Sequence, residues 1–82
     1  MAKSWLYKHG DITIKVLNKH FDGSELYING ELHDRRKGIS LRDHLSASLA
    51  NGETVDATLE GLITMNCFLC IDGILQEPVE VK

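Results

Sequence analysis

Apolar and polar residues alternate along most of this chain. Ile12, Ile14 and Val16 are separated by Thr13 and Lys15, the period-two pattern of a strand with one face buried. Trp5-Leu6-Tyr7 comes before this segment and Gly10-Asp11 lies between them, which predicts two short strands joined by a turn. Asp22-Gly23 leads into Leu26-Tyr27-Ile28, and Asn29-Gly30 turns that segment into Glu31-Leu32. Residues 33–38 are polar and charged and read as a loop or a frayed strand end.

Residues 40–50 fit two patterns. Leu41, Leu45 and Leu49 recur at every fourth position, Ser40 and Asp43 resemble a capping box, and Gly52 suits a helix end. Leu45, Ala47 and Leu49 also alternate with His44, Ser46 and Ser48, and the alternation resumes beyond Asn51-Gly52 with Val55, Ala57 and Leu59. Because the neighbouring segments all read as strands, a hairpin is expected, with at most one short helix near 40–50. Gly61 marks a bulge or a bend. In residues 62–71 both phases are largely apolar, Ile63, Met65, Cys67, Leu69 and Ile71 in one and Leu62, Phe68 and Cys70 in the other. That predicts a strand covered on both sides. After Asp72-Gly73 come Ile74, Leu75, Val79 and Val81, and Pro78 places this last strand at an edge or ends it early.

One motif occurs twice. Leu26-Tyr27-Ile28-Asn29-Gly30-Glu31-Leu32 and Leu69-Cys70-Ile71-Asp72-Gly73-Ile74-Leu75 share L-x-I-[N/D]-G-x-L. An Asx-Gly pair between alternating apolar residues is a strong hairpin signal, because a type I′ turn needs positive φ at both central residues. The spacing hints at an internal repeat, but the flanks share too little to establish one. The reading is mainly β: a single β domain over 1–82, an antiparallel β-sandwich of about six to eight short strands.

The order of these segments resembles the Fas apoptosis inhibitory molecule family. The likeness lies in Trp5 before the Ile12-x-Ile14-x-Val16 strand, in Gly23-x-x-Leu26-x-Ile28-Asn29-Gly30, and in Leu69-Cys70-Ile71-Asp72-Gly73 with Glu77-Pro78. The resemblance implies a small all-β sandwich, and a role in protein interactions and protection from apoptosis instead of catalysis. It carries no motif residue whose role transfers to a position here. One module also departs from the family's usual two.

Size and charge bound the function. A chain of 82 residues buries only about 60% of the surface its unfolded form exposes, so self-association is the expected source of further burial. The net charge of −3 argues against general nucleic-acid binding, which usually shows a basic surplus. No apolar run approaches the ~18 residues of a membrane span. The first residues lack the apolar stretch of a signal peptide, and two cysteines suit a reducing compartment; the expectation is a cytoplasmic protein that does not span a membrane.

Candidate chemistry is sparse. Cys67-Phe68-Leu69-Cys70 is a C-x-x-C, but side chains three apart on a strand point to opposite faces. The pair therefore reads as small buried hydrophobes before it reads as a redox or zinc site. His9, His20, His33 and His44 lack the close spacing of a metal pair. Ser40, Asp43 and His44 contain the residue types of a catalytic triad without a nucleophile elbow, and no glycine-rich phosphate loop is present. The one basic cluster is Arg35, Arg36 and Lys37 with Arg42 nearby, able to fork onto carboxylate or phosphate groups. The expectation is a non-enzymatic interaction module without cofactor or metal. It would act as a homodimer through Leu62, Phe68 and Cys70 and present the basic loop 33–42 to an unknown protein partner. The alternative is a small anion- or ligand-binding protein that uses that loop. A redox or metal protein using Cys67 and Cys70 is the least favoured reading.

Overall fold

Each alternating segment becomes a strand in the computed structural model, which describes residues 2–82. Nine strands follow in order: β1 (Lys3–His9), β2 (Ile12–Asn18), β3 (Ser24–Ile28), β4 (Glu31–Arg36), β5 (Arg42–Ser48), β6 (Thr54–Glu60), β7 (Asn66–Ile71), β8 (Ile74–Gln76) and β9 (Glu80–Val81). They form two sheets, β4-β3-β2-β1-β9 and β5-β6-β7-β8, with every pairing antiparallel. The strand beyond the expected count is the two-residue β9, which joins the edge of β1 after Pro78. The helical alternative for residues 40–50 gives way to β5. Asp43 and Leu45 are buried there while Arg42, His44, Ser46 and Ser48 are exposed, a period of two and not of 3.6.

The core lies between the sheets. Trp5, Tyr7, Ile14, Val16, Leu26 and Ile28 come from the five-stranded sheet, and Leu45, Val55, Ala57, Leu59, Leu69 and Ile71 from the other. All are buried. Each fully buried Leu, Ile or Val contributes about 1.5–3 kcal/mol, which makes the alternating rows the force that sets strand phase.

Two expectations need correction. Residues 33–36, read as a loop or a frayed strand end, are paired strand, because β4 continues to Arg36 and the loop begins only at Lys37. β4 is the outer strand of its sheet, and the pairing with β3 shifts by one residue at His33. Exposure on both sides leaves no apolar row to announce it, and charges with a bulge are the usual protection of an edge. The strand expected over 62–71 begins only at Asn66. A Cβ on Gly61 would collide with the Thr64 carbonyl oxygen, so the chain bends there. Phe68 remains 47% exposed, and the outer face of β7 is not covered within the chain.

The repeat hinted at by the twin motif is present in the strand pairing. Ile14 pairs with Ile28 and Val16 with Leu26, as Val55 pairs with Ile71 and Ala57 with Leu69. Tyr7 and Trp5 pair with Ile14 and Val16, as Ala47 and Leu45 pair with Val55 and Ala57. The turns match as well. Asn29 Oδ1 accepts from Thr13 N–H at 2.9 Å, and Asp72 Oδ1 accepts from Thr54 N–H at 2.9 Å. Residues of β1–β4 and β5–β8 thus form two copies of one four-strand meander, packed face to face. The sequence flanks hide this because the first matched connections differ, residues 10–11 joining β1 to β2 and 49–53 joining β5 to β6.

Candidate functional site

Antiparallel meanders sort their connections to two ends. One end holds short turns at Gly10-Asp11, Asn29-Gly30, Asn51-Gly52 and Asp72-Gly73. The other holds the connections 19–23, 37–41 and 61–65. We call these the turn end and the loop end.

The loop end is tied from within by polar residues in otherwise apolar rows. Asn18 follows Ile14 and Val16 inward, Ser24 precedes Leu26 and Ile28, and Asp43 precedes Leu45 and Ala47. Ser24 Oγ donates to Asp43 Oδ2 at 2.8 Å and accepts from Asn18 Nδ2 at 3.1 Å, and all three residues are buried. This chain links both sheets. Asn18 Oδ1 also accepts from the His20 N–H at 3.2 Å, which fixes the 19–23 loop. Gly23 (φ +97°) lies against the end of β4, where a Cβ would strike the Arg36 carbonyl oxygen. Gly61 N–H donates to Leu41 O at 3.1 Å, and Lys3 Nζ donates to Met65 O at 2.9 Å.

These constraints gather apolar side chains from three loops. Phe21, Ile39, Leu41, Leu62, Ile63 and the part-buried Met65 line one shallow concavity of about 210 Å³. The first five are exposed, Ile63 by 93% and Leu62 by 81%. Basic residues flank them. Lys3 and Lys82 border an adjoining hollow that includes Ile63. Lys19, Arg35 and Lys37 border another that includes Phe21, together with Asp22 and Glu25. The turn end instead carries Asp11, Glu31, Glu53 and Asp72.

The predicted basic cluster does not converge. Arg35 lies on the outer face of the five-stranded sheet, where its Nε donates to Glu25 Oε2 at 3.2 Å. Arg36 Nε donates to His44 O on the edge of β5 at 3.2 Å. Arg42 pairs with Glu60 at 3.7 Å on the other sheet. Lys37 has no ion-pair partner among the described residues. Glu25 also accepts from Tyr27 Oη at 2.6 Å and Lys19 Nζ at 3.2 Å. The Tyr27 hydrogen bond is the main reason its carboxyl is held below its ordinary range, and Lys19 and Arg35 add to it against the effect of burial.

The predicted interface residues also divide. Phe68 and Cys70 share the outer face of β7, beside Leu75 of β8, which pairs with Cys70. Leu62 belongs to the loop end. Cys67 faces the other way from Cys70, and its Sγ accepts from Tyr7 Oη at 3.4 Å. Burial pushes the Cys67 thiol up to about 11, against a smaller lowering by that bond. Burial likewise raises the Tyr7 hydroxyl far above its ordinary value.

Ser40, Asp43 and His44 do not form a triad. Ser40 Oγ donates to Arg42 O at 2.6 Å, Asp43 is spent on Ser24, and His44 turns outward to Asp56 at 3.2 Å. The other histidines are equally scattered, His9 beside Glu53 at 3.0 Å and His33 beside Glu31 at 3.9 Å, with His20 edge-on to Phe21. Among the described residues no three His, Cys, Asp or Glu side chains are grouped to hold a metal ion, and no helix is long and apolar enough to cross a membrane.

The fold and site define a small antiparallel β-sandwich with one apolar, basic-flanked end. No family model, no curated protein and no solved structure matches the chain.

Proposed function

We propose that this protein is a non-enzymatic interaction module that works through its loop end. The observation that carries the reading is the collection of Phe21, Ile39, Leu41, Leu62 and Ile63 around one concavity, all in contact with solvent. A contiguous apolar patch rimmed by polar groups marks an interaction surface. The buried Asn18-Ser24-Asp43 chain beside the 19–23 and 37–41 loops, with the Gly61–Leu41 and Lys3–Met65 hydrogen bonds at the third, supports it further, because loops held on a rigid scaffold are how binding is carried. The dispersal of Ser40, Asp43 and His44, and the placing of Cys67 and Cys70 on opposite faces of β7, fit binding better than catalysis. The resemblance to the Fas apoptosis inhibitory molecule family points to interaction as well. The anion-binding alternative loses support, because Arg35, Arg36 and Arg42 are each engaged elsewhere.

A photo-crosslinking side chain in place of Ile63 tests this reading in cells. Adducts are expected there and not from the same group in place of Asn51 at the turn end. Adduct yields that are equal at the two positions, or absent at position 63, contradict it.

A second reading rests on a different surface. Phe68, Cys70 and Leu75 form an exposed to half-buried apolar strip on the outer face of β7 and β8. Two copies meeting there would make the two-fold dimer expected from chain length. Light scattering decides it: a dimer mass lost on Phe68→Lys supports this reading, and a monomer mass at tens of micromolar removes it.

A further inference from the structure

We infer that the loop end docks on an anionic lipid bilayer, its apolar tips entering the boundary between headgroups and acyl chains. The inference rests on the interaction-module reading and names the partner. Phe21, Leu62 and Ile63 are exposed, Ile63 by 93% and Leu62 by 81%, and come from two separate loops that meet around one shallow concavity. Side chains this exposed suit a soft, featureless apolar layer better than a shaped protein groove. Apolar burial together with attraction to anionic headgroups is what holds a peripheral protein at a membrane surface.

Charge selects the orientation and the occupant. Lys3 stands on one side of the tips and Lys37 on the other, neither in an ion pair among the described residues. Beside them Lys82 is paired with Glu80 at 3.6 Å and Lys19 with Glu25 at 3.2 Å, and Asp22 borders the Lys37 side. The turn end is acidic on balance, with Asp11, Glu31, Glu53 and Asp72 against Lys8, in a chain that carries −3 as a whole. A negative surface therefore attracts the loop end and repels the turn end, over roughly a Debye length. A second copy fits the patch poorly. Loop end against loop end sets lysine against lysine, and the turn end offers carboxylates with only Leu32 and Ile74 as exposed apolar neighbours of its glycine-containing turns.

Flotation with vesicles tests the inference. The full chain is expected to float with phosphatidylcholine–phosphatidylserine vesicles and to remain behind with phosphatidylcholine alone. Added salt is expected to release part of it. The double variant Leu62→Asp, Ile63→Asp is expected to lose about tenfold or more of that binding while keeping the parent Tm, since both residues are exposed. Lys37→Glu is expected to weaken binding and reduce its salt sensitivity. Phe68→Asp, on the outer face of β7, is expected to float like the parent. No flotation of the parent, equal flotation on pure phosphatidylcholine, or unchanged flotation of the double variant overturns the inference. If flotation is absent while position 63 still crosslinks to a protein, the lipid inference falls and the module reading stands. If neither occurs, both fall.

Discussion

Asn18, Ser24 and Asp43 occupy inward positions that alternation would otherwise give to apolar residues. Each buried polar atom has a partner among the described residues, which is what makes such a row tolerable. Asp43→Ala takes the acceptor from a fully buried hydroxyl, so a loss of about 1–3 kcal/mol is expected, read by urea unfolding. Glu25 gives a pH signature. Its carboxyl, held below the ordinary value of 4.5 in the folded chain, returns to that value on unfolding, so the unfolded state binds more protons as the pH falls. The stabilisation is full above about 4.5 and disappears as pH drops through the folded value. Glu25→Gln is expected to lower the proton uptake on acid unfolding, by at most about one proton. An acid limb identical to the parent's counts against the Tyr27, Lys19 and Arg35 contacts. The Cys67 thiol shifts the other way. Its folded value near 11 against an ordinary 9.0 stabilises the fold below about 9, and that contribution is lost as the pH rises through 11. Native alkylation at pH 8 is expected to be slow at Cys67 and to accelerate on unfolding.

At the scale of the element, the twin turns set register. Asn29 and Gly30 have φ of +50° and +80°, and Asp72 and Gly73 have +49° and +81°, the two positive values of a type I′ turn. Gly73→Val meets no neighbour but places a β-branched residue at positive φ, so a loss above about 1 kcal/mol is expected. Gly23→Ala adds a collision with the Arg36 carbonyl oxygen to the same strain and is expected to lower Tm further than Gly73→Val does. Thermal melts of the pair check the order, and the reverse order contradicts the packing of Gly23 on β4. The strands of the core were legible in the sequence where one face is buried, as in Ile12-x-Ile14-x-Val16 and Val55-x-Ala57-x-Leu59, whereas Leu45-x-Ala47 fits a helix as well and only its neighbours favour a strand. Only the start of β4, Glu31-Leu32 after the Asn29-Gly30 turn, was legible; its continuation to Arg36 was not, because a solvated edge has no apolar row. The bend before Asn66 was not legible either, since Leu62, Ile63 and Met65 continue the apolar phase of β7 in sequence while leaving it in space. The duplication was visible in its Asx-Gly turns and hidden by the unequal connections 10–11 and 49–53.

At the scale of the molecule, the loop end illustrates why the site was harder to read than the fold. Phe21, Ile39 and Ile63 sit in three separate connections, and only the meander order brings them together. The arginines drew attention as a run in sequence, yet strand alternation sends Arg35 and Arg36 to different partners, and Arg42 lies on the second sheet. The resulting body is polarised, apolar and basic at one end and acidic at the other. That polarity makes a directional prediction which a merely sticky surface would not. The most direct measurement is backbone NMR of the labelled protein titrated with phosphatidylserine-containing nanodiscs. Signal broadening and shift changes are predicted to be confined to residues 19–23, 37–41 and 61–65, with the four turns at the opposite end unmoved. Perturbation centred on Phe68, Cys70 and Leu75, or spread evenly over both ends, would contradict the account.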